Sequence, residues 1–390
     1  MRTFLFALFI FSAGISSGQT ANEYSAIDKL ALKLGDSASR SVGSIAEFLN
    51  ANFKTDSEKA RALFFWEAST ISYDIENMFA INFNETSANK VSKTLQTKKG
   101  ICINYAEIFT AILTKLGINS VVIEGYTKQN GFTDYIPHAW CAAKIDNRWF
   151  LFDPTWGSGY ISNGKFVKKV NEKYFKAEPV KLISSHMPFD YLWQFLNYPV
   201  SNQEFYNGNI QINNTKAYFD FEKEIANYKK ATELEQLSAS AQRIEMNGVK
   251  NAMIFDRLAY KKREIEYLKQ TKLSDDFNNA VAVYNEGINQ YNEFVVYRNK
   301  QFKPIKSDPE IQAMFDAAYN KITIAKNKLA QIKDPGANIA SMMAPFQKSL
   351  DDTMTNIEEQ KEWLAKYFSK GKFGRSTMFT KYTWMGIPLN

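Results

Sequence analysis

A patterned stretch at residues 100–156 limits what this chain can fold into more than any other part of it. It opens with an amphipathic run from Cys102, in which Tyr105, Phe109, Ile112, Leu113 and Leu116 share one face and Gly117 supplies a stop. That spacing predicts a helix with Cys102 in its first turn. Apolar runs then predict three strands: residues 120–126, a second opening at His138, and a third over 148–153. Asp146-Asn147 reads as a two-residue hairpin turn joining the last two. This register pairs Ile145 with Arg148, and hence Trp140 with Asp153. His138 and Asp153 then project from one side as diagonal neighbours, about 7–8 Å apart at the backbone. A three-residue turn would separate them onto opposite faces.

These three side chains have complementary chemistry. Unpaired N–H groups and the helix dipole favour negative charge on a sulfur at the position of Cys102. His138 is placed to take the thiol proton and return it to a leaving amine, while Asp153 fixes the imidazole tautomer and steadies its cation. The reading is a thiol acyl-transfer site that attacks a peptide or glutamine amide through a thioester: a peptidase or amidase with water as acceptor, the first reading, or a protein-glutamine acyltransferase with a primary amine. The Cys102 backbone N–H is the first oxyanion donor; Gln96, six residues upstream, is a candidate second, against the commoner reading of an exposed polar residue.

Cys141, three residues after His138, falls on the opposite face of its strand and is assigned to the core rather than to a bridge with Cys102. His186, the only other histidine, sits in SSHMPFDYLWQF and reads as a capping or packing residue, with an alternative base as the second reading.

The flanks set the context. The chain has 390 residues, enough for two domains. Met1-Arg2, an apolar run and the small residues before Gln19 have the form of a secretory signal with cleavage after Gly18. The expectation is therefore a protein secreted to the periplasm or cell exterior, without a transmembrane segment once the signal is removed. A net charge of +7 without an arginine cluster argues against nucleic acid. No histidine, cysteine or carboxylate spacing calls for a metal, and no glycine-rich loop calls for a nucleotide, so no cofactor is expected. Upstream, Asp56 reads as the cap of a helix with Ala60, Leu63, Phe64, Ala68 and Ile71 on one face. After a polar, turn-prone stretch at 206–216, residues 217–390 read as a helical bundle or antiparallel coiled coil. Its seams are Phe277, Val281, Tyr284, Ile288, Tyr291 and Val295, and Ile311, Phe315, Ala318, Ile322, Ala325, Leu329 and Ile332.

GICINYAEIF, PHAWCAAKIDNRWFLFDPTWGSGY and the order Cys, His, Asp resemble the transglutaminase-like superfamily. The segment EKYFKAEPVKLISSHMPFDYLWQFLNYPV is similar to the region C-terminal to the core in kyphoscoliosis-peptidase-like and bacterial transglutaminase-like proteins. The resemblance covers about residues 55–205, within a domain read as 19–205, and implies an α+β, papain-like core with a nucleophile helix on an antiparallel sheet and Cys102, His138 and Asp153 as the triad. It leaves two functions open: an exported cysteine enzyme acting on protein or peptide, and a catalytically idle module that binds or scaffolds envelope protein.

Overall fold

The computed structural model describes residues 23–79, 85–129, 131–133, 136–211 and 213–379, and two short strands near the C-terminus. The expected signal segment, residues 1–18, lies outside the described residues. The chain forms two compact units, Met1–Tyr260 and Lys261–Asn390.

The first unit begins with three helices: α1 (Ser25–Ala31), α2 (Val42–Asn52) and α3 (Asp56–Thr70). Thr55 and Glu58 form a reciprocal capping box at the start of α3, so Asp56 is its first helical residue rather than its cap. Ala60, Leu63, Phe64 and Ala68 are buried along its inner face, as their spacing requires. The short strand β1 (Ser72–Tyr73) pairs in parallel with β2 (Lys99–Gly100), and α4 (Ser87–Thr97) lies between them in sequence.

Next comes α5 (Cys102–Lys115). Its N-cap is Ile101, whose N–H is taken by the Asn104 side chain at 2.9 Å. The main sheet follows in the order β4-β3-β5-β6, from β3 (Ser120–Gln129), β4 (Phe132–Thr133), β5 (His138–Ile145) and β6 (Arg148–Phe152). Ile145 pairs with Arg148 across the Asp146-Asn147 turn, both of whose residues have positive φ, as a twist-matched two-residue hairpin requires. Helix α6 (Pro154–Ser158) and the hairpin β7 (Gly159–Ser162) and β8 (Lys165–Lys168) lead to α7 (Pro179–Leu182) and β9 (His186–Pro188). β9 pairs with β3 at its far end, on the side of β3 away from β5.

The core packs α5 against the sheet, with Phe109 and Phe152 ring centroids 5.0 Å apart. Cys141 is buried there, its sulfur 3.6 Å from the Ala106 carbonyl. It therefore faces α5, about one turn beyond Cys102, within the core to which its place in the strand assigned it. Both cysteines are free.

The unit does not end at 205. After α8 (Asn202–Asn207), α9 (Phe221–Lys230) and α10 (Glu233–Met246) fold back onto it. Ile225 joins the first core, and Arg243 grips Asp190 with two bonds of 2.7 Å. The polar stretch that begins at the end of α8 thus falls inside this unit, and the boundary falls near Tyr260. Its polar composition carries no information about which core the next helices bury.

In the second unit the long α11 (Ala252–Asn299, begun in the first unit), α12 (Asp308–Gln331) and α13 (Gly336–Phe368) share one core. The two seams read from sequence are in it, and Ile339, Leu350, Ile357 and Leu364 of α13 complete it. Gly287 lets α11 approach Ile322, since a Cβ there would lie 2.6 Å from that side chain. The short α14 (Lys372–Thr377) follows, and then two paired strands at 383–384 and 387–388. No helix among the described residues is long and apolar enough to cross a membrane.

Candidate active site

Three elements converge at the mouth of the sheet. α5 presents Cys102 from its first position, β5 presents His138 from its first residue, and the turn from β6 into α6 presents Asp153. Asp153 caps α6 because it precedes Pro154, whose missing N–H and fixed φ suit a helix start. Asp153 Oδ1 accepts from the backbone N–H of Thr155 at 2.9 Å and of Trp156 at 3.0 Å.

The other carboxylate oxygen lies 2.8 Å from His138 Nε2, so the register argument brought the two side chains together as expected. With Nε2 engaged, Nδ1 is the ring nitrogen left to face the cleft that Cys102 also lines. The ring is held between Trp140, at 6.1 Å, and Trp156, at 5.3 Å between centroids.

The same oxygen takes a second partner. His186 Nε2 lies 3.0 Å from Asp153 Oδ2, and Ser185 Oγ lies 2.8 Å from His186 Nδ1. Reading from sequence gave His186 a packing role, because 33 residues separate it from Asp153 and no local spacing links them. Only the pairing of β9 with β3 carries it in, with Thr127 opposite His186.

Electrostatics follow from burial and these contacts. Burial opposes the charge on His138, but Asp153 outweighs it, and Cys102 adds to that effect, so the imidazole is pushed well above its ordinary range. Burial would likewise neutralise Asp153, yet the two histidines hold it below the usual carboxylate range. His186 moves the other way: burial dominates and keeps it neutral at neutral pH. Behind the site, burial and then the Asp153 charge push the Glu67 carboxyl of α3 well upward. Neither Glu67 oxygen has a hydrogen-bond partner among the described residues.

His138, Asp153 and His186 also place three potential metal-ligand atoms within 4.8 Å of one another. The set is satisfied without an ion. Both ring nitrogens sit at direct hydrogen-bond distance from the one free oxygen, and two backbone donors cap the other.

Of the two readings of Gln96, its position fits the exposed polar residue rather than the oxyanion donor. Val91, Thr94 and Leu95 form the inner face of α4, which turns Gln96 outward into solvent, 3.4 Å from Ser92 Oγ and outside the cleft. Cys102 and His138 do line a shared cleft of about 1020 Å³. Its walls include Tyr73, Phe132, Ile136, Tyr160 and Phe166.

A histidine–aspartate pair on an antiparallel hairpin shares its cleft with a cysteine at the start of a helix, on an α+β core. Residues 44–154 match the model of the transglutaminase-like superfamily, so the chain carries a transglutaminase-like core. Kyphoscoliosis peptidase of Mus musculus is 35% identical over 161 residues, covering 39% of this chain and 24% of the relative. The Homo sapiens protein of that name matches with the same identity and coverage. The chain thus spans about a quarter of the length of these curated relatives. A solved structure described as a TGase is 20% identical, with a TM-score of 0.24 over 42% of this chain and 40% of the other.

Proposed function

We propose that this chain is an exported thiol enzyme that attacks peptide or glutamine amide carbonyls through Cys102, His138 and Asp153, acting as a peptidase or amidase. The observation that supports this best is the 2.8 Å contact between His138 Nε2 and the buried, fully hydrogen-bonded Asp153 carboxylate, in a cleft that Cys102 also lines.

The Cys102 thiolate adds to the carbonyl carbon, and the resulting oxyanion is met by the orphan N–H groups at the start of α5. As the C–N bond breaks, the imidazolium gives its Nδ1 proton to the leaving amine, and a thioester remains on Sγ. His138, now neutral, takes a proton from water as the water oxygen attacks the thioester. The acid departs and the thiol–imidazole proton is restored. Asp153 stays ionised throughout and compensates the imidazolium. The apolar walls of the cleft suit side chains flanking the attacked amide.

The test is alkylation by iodoacetamide with the modified cysteine located by mass spectrometry. Cys102 should react at pH 6 at least about tenfold faster than a free cysteine. His138→Ala should abolish that excess, and buried Cys141 should stay unmodified in the folded protein. A Cys102 that reacts like free cysteine in both proteins would overturn the assignment in favour of a binding module.

A further inference from the structure

Acyl transfer through Cys102 uses one histidine, yet the site holds two. Asp153 is completely buried and His186 nearly so. The carboxylate accepts from Thr155 N–H and Trp156 N–H at Oδ1, and from His138 and His186 at Oδ2. A carboxylate has about four acceptor positions, so every one is occupied.

The tautomer of His186 is set by the same network. Asp153 offers only acceptors, so His186 Nε2 carries the hydrogen. A neutral ring then has an accepting Nδ1, and the Ser185 hydroxyl, 2.8 Å away, donates to it in preference to the Leu182 carbonyl at 3.3 Å. Ring contacts with Trp140 at 5.1 Å and Trp156 at 4.7 Å fix the plane of the imidazole.

We propose that His186 is a positioning residue of this site: its Nε2–H bond to Asp153 Oδ2 holds the carboxylate in line with His138 and withdraws part of the negative charge that Asp153 lends to the His138 cation. The proposal rests on Cys102, His138 and Asp153 acting as the catalytic triad. A donor on Oδ2 spreads the carboxylate's charge over a second bond, so it weakens the partner's stabilisation of His138. Without that donor, the full charge would fall on His138 and the carboxylate could swing out of line.

Other ionisable groups face this network. They are Glu67 of α3, Tyr73 of β1, Cys102 and Tyr105 of α5, Cys141 of β5, and Lys173 and Tyr174 of the segment after β8. Burial raises the three tyrosines and Cys141 farther above the neutral range. Glu67 is the group that needs a control.

The chain contains only two histidines, so imidazole resonances in NMR spectra of the whole protein assign themselves by single substitution. In His186→Phe, which keeps a ring and loses the donor, the His138 titration midpoint should rise by about half to one pH unit. His186→Gln, whose amide can donate, should return it toward wild type. Ser185→Ala, which frees the tautomer and spares the packing, should give a smaller rise and serves if the phenylalanine variant does not fold. The same shifts in a Glu67→Gln background exclude that carboxyl as their source. Iodoacetamide rates at Cys102 should show the alkaline edge moving with the His138 midpoint. A purely structural His186 would lower stability or the plateau rate and leave the midpoint in place, which would overturn the proposal. A midpoint that shifts while Cys102 stays inert would uphold the positioning role and reject the enzymatic reading.

Discussion

Asp153 keeps its charge in a dry site because each of its lone pairs meets an N–H group, two from the α6 backbone and two from imidazoles. Glu67 shows the opposite condition. It is as deeply buried, but its oxygens lack donors among the described residues and its neighbour is an anion. Its folded-state pKa is therefore raised, so the stability it permits is complete below the ordinary glutamate range and is lost as pH rises toward the folded value. Glu67→Gln removes that titration. The variant should match wild type near pH 4 and gain on it by up to about 1.4 kcal/mol per pH unit above that range, until the folded carboxyl ionises. Urea melts across pH check this. An offset that does not change with pH would mean that Glu67 ionises as easily folded as unfolded.

Among the elements, β3 is the one on which the site's assembly turns. Gly125 pairs with His138 of β5 on one side and Pro188 of β9 on the other. A Cβ at this position would lie 2.1 Å from the Met187 carbonyl and 2.6 Å from the Trp140 ring. Glycine is required here for space, to let two strands and a tryptophan close on one residue. Gly125→Ala should force β9 outward and cost about 1–3 kcal/mol by overpacking. Because β9 carries His186, the variant should also perturb the His186 ring resonance, even under conditions where the protein remains folded. A variant with wild-type stability and an unmoved His186 signal would show that β9 does not depend on this close approach.

For the whole molecule the salient fact is two separate cores, one built around α5 and the sheet, the other along α11, α12 and α13. Phe109 is fully buried in the first and Leu350 in the second. Truncating either to alanine should cost about 2–5 kcal/mol in its own unit. Calorimetry should resolve two transitions, with Phe109→Ala lowering one and Leu350→Ala lowering the other. A single transition moved equally by both would mean that the units unfold as one.

Much of the site was legible from residues 100–156 because helix and hairpin geometry are local. Period 3.6 placed Cys102 at a helix start, and a turn of two residues fixed the shared side of His138 and Asp153. The features that sequence reading missed depend on pairing between distant segments. His186 reaches Asp153 only through β9 on β3, Glu67 meets the site only through the packing of α3, and α9 and α10 join the first core by contacts their own pattern cannot specify. Gln96 shows the same limit from the other side: nearness in sequence to Cys102 counts for nothing once α4 turns that residue to solvent. Local periodicity decides which way a side chain leaves its own element. Only the tertiary structure decides what waits for it there, because that depends on desolvation and long-range strand pairing.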